Sequence, residues 1–188
     1  MLGLVLTGCG GGEPTEFTGT TLENPWQVDD TALVDADGAP FSLVADTDAR
    51  LTLVFFGYTH CPDICGQVMA TLAGTMTRLD GDQREQLDVV FVTTDPARDT
   101  PEVVGEYVAR YDDSFIGVSG EMADIITVAD SMKVGVEQGD KLPSGGYDVT
   151  HGTRILALDS ADTVPVMWSE SVSQAQLTAD ITTLLAKD

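Results

Sequence analysis

Two apolar runs read as strands covered on both faces. Leu51 to Phe56 lies between Arg50 and Gly57, and Asp88-Val89-Val90-Phe91-Val92-Thr93 fills most of Leu87 to Thr93. Runs of this length without polar alternation suit central strands of a sheet. Between them the period changes. From Pro62 to Leu79, the residues Ile64, Val68, Met69, Leu72, Met76 and Leu79 recur at three- and four-residue steps, one face of a helix. Pro62 falls in the first turn, where its missing N–H has no intrahelical partner to lose. A second helix is expected over 101–110, because Thr100, Pro101 and Glu102 supply an N-cap, a first-turn proline and an acidic residue at the positive dipole end. Beyond it the pattern predicts a strand near Phe115 to Val118, a helix near 121–131 and a strand near Lys133 to Glu137. A Gly-rich loop, Gly139 to Gly146, then precedes Tyr147-Asp148-Val149-Thr150-His151.

Two hairpins complete the sequence. Thr31 to Val34 and Pro40 to Leu43 flank the turn-forming Asp35-Ala36-Asp37-Gly38, and Arg154 to Leu158 and Thr163 to Trp168 flank Asp159-Ser160-Ala161-Asp162. A final helix, about 173–186, carries Leu177, Ile181, Leu184 and Leu185 on one face. Strands and helices that alternate in this order predict an α/β fold, a central mixed β-sheet flanked by helices on both faces. The order is thioredoxin-like, with an N-terminal β-hairpin extension.

Residues 10 to 28 show no period and read as linker. Ahead of them, Leu2 to Leu6 is apolar and Leu6-Thr7-Gly8-Cys9 ends in small residues before a cysteine, which resembles a bacterial lipobox. The expected organisation is a lipoprotein-type signal peptide over 1–8, a lipid attachment site at Cys9 with a flexible linker over 9–28, and one domain over 29–188. That places the domain outside the cytoplasm, held to the cell membrane by lipid. No stretch approaches the ~18 apolar residues of a spanning helix. The formal charge of −22, from 31 acidic and 9 basic residues, excludes nucleic acid as a partner, because a polyphosphate would be repelled.

With Cys9 assigned to lipid, Cys61 and Cys65 remain, in a compartment that permits disulfides. On a helix, positions four apart share a face with Cβ atoms ~5–6 Å apart. A disulfide prefers ~3.5–4.5 Å. Bridging this pair therefore asks for local unwinding, whereas two thiolates closing on a soft ion ask for less. A helix N-terminus also favours the thiolate, and Cys61 is expected to be the more ionised of the two. The histidines are His60, whose ring is expected to point away from the helix face, and His151, at a loop-to-strand junction. Two sulfurs and one imidazole suit copper or zinc and are too few for a typical iron–sulfur cluster. A pair of thiols also suits disulfide exchange, which needs no imidazole.

Three segments together resemble the Sco/SenC family, copper-binding assembly factors of cytochrome c oxidase: Phe56-Gly57-Tyr58-Thr59-His60-Cys61-Pro62-Asp63-Ile64-Cys65, then Thr94-Asp95-Pro96-Ala97-Arg98-Asp99-Thr100-Pro101-Glu102, then Tyr147 to His151. The resemblance runs from about residue 26 to the C-terminus. It implies a thioredoxin-like fold, one copper ion per chain held by Cys61, Cys65 and His151, and delivery to the binuclear centre of oxidase subunit II or to another extracytoplasmic copper protein. It also implies surrounding roles for Asp63, Asp95 and Asp99. Gly66 stands where the family usually has proline, and Thr150 where it often has aspartate before the histidine. The alternative function is a thiol–disulfide oxidoreductase, with Cys61 and Cys65 as redox pair, acting on the cysteines of the oxidase subunit or of another copper protein.

Overall fold

The structure, a computed structural model, describes residues 17–141 and 147–186, of which 137–141 and 147–151 as backbone alone. The segment 1–8 and Cys9 lie outside the described residues. The central sheet has eight strands in the order β1-β10-β9-β4-β5-β6-β2-β3. These are β1 (Thr20–Gln27), β2 (Leu33–Asp35), β3 (Pro40–Phe41), β4 (Leu51–Gly57), β5 (Leu87–Thr93), β6 (Ile116–Ser119), β9 (Ile155–Asp159) and β10 (Thr163–Trp168). A separate ribbon pairs β7 (Val136–Lys141) with β8 (Tyr147–His151). β4, β5 and β6 run parallel, and the other pairings in the sheet are antiparallel, so the sheet is mixed as expected.

All seven residues of β4 are buried, because its alternating side chains serve two different cores. Leu51, Leu53 and Phe55 join Val89 and Phe91 on the face covered by α1 (Cys65–Arg78), α3 (Pro101–Ala109) and α5 (Gln174–Leu185). Val54, Phe56, Val90 and Val92 face the opposite way, against Ile125, Val128 and Ala129 of α4 (Met122–Ser131) and against Leu33, Phe41 and Leu43. Each Leu or Phe buried in this way contributes about 1.5–3 kcal/mol relative to exposure. Helices thus lie on both faces, and the chain is a thioredoxin-like α/β fold.

Four features differ from the sequence reading. β1 lies within the stretch read as linker: it has no apolar period, only Leu22 and Trp26 are half-covered, and its order comes from pairing with β10. The helix read from Pro62 begins only at Cys65, with Ile64 as N-cap, because the chain first bends through residues 62–64. The loop read from Gly139 starts later, since β7 continues to Lys141. A short helix, α2 (Gly81–Arg84), was not predicted and is held by a capping box between Asp80 and Gln83. The N-terminal hairpin forms as expected, β2 against β3, and docks through β2 on β6 at the sheet edge. Both edges are irregular: β3 is two residues long and begins with Pro40, and the register of β1 slips between Thr21 and Trp26.

Candidate metal centre

The buried strand β4 delivers the chain to its end at Gly57, and the backbone then turns so that the Cys61 N–H donates to the Tyr58 carbonyl at 3.2 Å. Cys65, the first residue of α1, is fully buried, and Cys61 is half-buried above it. Both are free thiols. Because Cys61 precedes the helix, the two are not stacked on one helical face, and the spacing argument built on that face does not apply to them.

Gly57 makes room for the pair. A Cβ at this position would lie 3.0 Å from Cys65 Sγ and 2.9 Å from the Phe91 ring, inside van der Waals contact. The two sulfurs are hydrogen-bonded to each other. Burial pushes the Cys61 thiol up, but the Cys65 thiol and the backbone N–H groups of Cys65, Asp63 and Ile64 all donate to it, and the balance lies below the ordinary value. Those amides belong to the start of α1, where the first N–H groups lack intrahelical acceptors. Cys65 goes the opposite way. Burial, then its donation to Cys61, push it up to about 12. Cys61 is therefore the more readily ionised of the two thiols and Cys65 the less, in the order expected. Tyr58 is raised as well, mainly by burial and then by the two sulfurs beneath it. Below, the Phe91 and Tyr107 rings lie 5.2 Å apart and those of Tyr107 and Tyr111 5.4 Å, closing the underside of the sulfurs with aromatic surface.

A buried clasp fixes the cysteine loop to the loop after β5. Asp99, fully buried, accepts from Thr59 N at 2.8 Å, Thr59 Oγ1 at 2.5 Å and Thr93 Oγ1 at 2.7 Å, while its carbonyl accepts from Ser119 Oγ at 2.8 Å. Neither threonine nor Ser119 was picked out from the sequence. His60, 60% exposed, sits outside this clasp, its Nδ1 2.9 Å from Thr59 Oγ1 and 3.6 Å from Asp99 Oδ1. Asp95 is buried and paired with Arg98, whose guanidinium also lies 6.0 Å from the centre of the Tyr58 ring. Burial raises the Asp95 carboxyl despite that guanidinium, and its Oδ1 has no hydrogen-bond partner among the described residues. Asp63 is exposed and reaches the site through its backbone N–H, not its carboxylate.

His151 ends β8, its backbone opposite Val136, and its side chain is outside the described residues. Residues 152–154 then lead into β9, whose Ile155 pairs with Phe55 in antiparallel register. The backbone that carries His151 thus reaches β9 at the end of the sheet from which β4 releases the cysteine loop. Among the described residues no group of three His, Cys, Asp or Glu side chains converges as a metal would require. The Cys61–Cys65 pair supplies two soft donors and leaves room for a third from elsewhere, a set that fits copper or zinc.

Comparison with known proteins agrees with this geometry. The profile described as SCO1/SenC matches residues 21–186. The human protein SCO1 homolog, mitochondrial, is 31% identical over 66% of this chain, and the yeast protein SCO2, mitochondrial, is 30% identical over 68%. The matched stretches span 44% and 42% of those relatives' own length, so the chain corresponds to less than half of each. Among solved structures, apo Sco1 from Thermus thermophilus superposes with a TM-score of 0.81 at 30% identity, covering 92% of this chain and 99% of that one. ScoI from Arabidopsis thaliana, solved with copper bound, gives 0.73 at 25% identity, covering 86% and 96%. A profile that spans nearly all the described residues, on a sheet whose central strand ends at a paired-thiol loop, leaves one conclusion: the chain belongs to the SCO1/SenC family.

Proposed function

We propose that the chain is an extracytoplasmic copper chaperone, anchored to the membrane by lipid at Cys9, that carries one copper ion per chain on Cys61, Cys65 and His151. The acceptor is the binuclear copper centre of cytochrome c oxidase subunit II. The observation that carries this reading is the sulfur pair itself, a more acidic and a less acidic thiol hydrogen-bonded over the space left by Gly57. Family membership supports it, as do relatives solved with copper bound, including ScoI of Bradyrhizobium japonicum at 25% identity. Cys61 offers its sulfur first, because it loses its proton more readily than Cys65 and is partly open to solvent. Cys65 follows by losing its proton, so uptake of the ion releases acid. Transfer then needs an acceptor sulfur to approach from the exposed side of Cys61.

The test is anaerobic copper titration of the protein beside its Cys61→Ala and His151→Ala variants. Wild type binds one equivalent, and each variant loses stoichiometric binding or weakens at least tenfold. Full retention of copper by either variant would sink the assignment of that residue.

The split between the two thiols also favours a second reading, reduction of a partner's disulfide. Cys61 thiolate attacks the partner disulfide and releases one partner thiolate. Cys65 then gives up its proton and closes the Cys61–Cys65 bond, freeing the second, so that two electrons pass from this chain to the partner. Under this reading His151→Ala keeps reductase turnover while either cysteine variant abolishes it.

A further inference from the structure

The chain's first and last described segments leave the domain at opposite ends of the sheet. Asp180 on α5 is 2% exposed and collects five hydrogen bonds. Thr18 N donates to both carboxylate oxygens at 3.2 and 3.0 Å, and Thr18 Oγ1 (2.7 Å), Gly19 N (2.9 Å) and Trp168 Nε1 (2.8 Å) all donate to Oδ2. A buried carboxylate persists only with such compensation. Gly19 is needed here, since a Cβ would lie 2.7 Å from Trp168 Nε1.

Strand registers say where this clasp lies. Thr20 pairs with Met167, Trp168 with Ile155, and Ile155 with Phe55. Residue 19, Trp168, Ile155 and Phe55 therefore form one row across four strands, and β1 enters the sheet at the end where β4 releases the cysteine loop. Three strand spacings, about 14 Å, separate the two exits. The other end holds the last turn of α5, where Arg50 Nη1 donates to the Leu185 carbonyl at 3.1 Å, just before β4 begins. It also holds the β9–β10 turn at Ser160, because β9 runs antiparallel to β4.

We infer that an attachment amino-terminal to Thr18 turns the candidate metal centre toward the membrane, so that the partner is met at the bilayer surface, in the gap beneath the domain. The orientation follows from the Asp180 clasp and the strand registers; the membrane itself rests on the anchorage proposed above. From Cys9 to Phe17 the chain spans at most about 29 Å even when fully extended, which keeps the cysteine end near its anchor.

Energy transfer to acceptor-labelled lipid in phosphatidylcholine vesicles tests this. A fluorescent amino acid is placed in the full chain at Asp63, exposed at the cysteine end, or at Ser160, exposed at the other. The chain is held in three ways: by its own lipid, by an amino-terminal histidine tag on a nickel-chelating lipid, or by a carboxy-terminal tag. With either amino-terminal attachment, transfer from position 63 exceeds transfer from 160; with the carboxy-terminal tag the order reverses. Equal transfer from both positions, or one order under all attachments, would overturn the inference. The amino-terminal tag holds the chain whether or not Cys9 carries lipid, so loss of anchorage, read as failure of Cys9→Ser to change membrane sedimentation, is separated from loss of orientation. In the Asp180→Asn protein the difference between positions shrinks; should that variant not fold, the wild-type arms still decide. Copper uptake by the carboxy-terminally held chain is unchanged while delivery to a membrane-held acceptor falls; undiminished delivery would overturn the claim that the partner is met at the bilayer.

Discussion

A hydrogen atom in place of a side chain at residue 57 sets how near the Cys65 sulfur comes to the sheet. Gly57→Ala forces a methyl into contact with that sulfur, the Phe91 ring at 2.9 Å and the Phe55 ring at 3.1 Å. Overpacking of this kind costs about 1–3 kcal/mol. We expect a lower denaturant midpoint together with weaker copper binding; a variant matching wild type in both would mean the cradle is not needed. The second expectation concerns charge. Because Cys61 lies below an ordinary thiol and Cys65 far above it, ultraviolet titration of the metal-free protein should show one thiolate forming at lower pH than an ordinary thiol and the other only under strong alkali. Cys65→Ala removes a donor to Cys61, so the Cys61 thiolate should then form at higher pH. An unchanged onset would show that the thiol–thiolate bond contributes nothing.

The loop after β4 and the loop after β5, forty residues apart in sequence at Thr59 and Asp99, are joined through the Asp99 carboxylate, and this sets the stiffness of the cysteine loop. Thr94 N and Oγ1 both donate to the Gly57 carbonyl, at 2.7 and 3.1 Å, so β4 and β5 stay paired up to the point where the loops leave. Asp99→Asn keeps the shape but replaces one acceptor oxygen by an amide that faces donors. Hydrogen bonds to a buried charge are worth about 1.5–3 kcal/mol. A domain of this size loses about 2–4 °C in Tm per kcal/mol, so a fall of several degrees is expected. Amide exchange at Thr59 should accelerate, since its N–H is held by the Asp99 carboxylate. A melting-temperature drop with unaltered Thr59 exchange would place the role of Asp99 in the core instead of the loop.

Across the whole domain, legibility in the sequence followed the range of the interactions. β4, β5 and the apolar face of α1 were readable because each signals through its own consecutive side chains. β1 was not, because its order depends on β10, far along the chain, and its exposed residues carry no period. The cysteine pair stood out by spacing, whereas the Thr59–Asp99–Thr93 clasp joins residues whose types are common in any loop. Asp95 and Asp99 were marked only by family resemblance, and Asp180 resembled any polar residue of a surface helix until Thr18 and Trp168 were seen to meet it. The irregular sheet margins carry a consequence of their own. Open strand edges invite like molecules to add strands to one another. Here one margin is a two-residue strand opened by Pro40, and the other contains Pro25 and a register slip beside it. The eight-stranded sheet therefore offers a second copy no long, regular margin on which to lay down a strand.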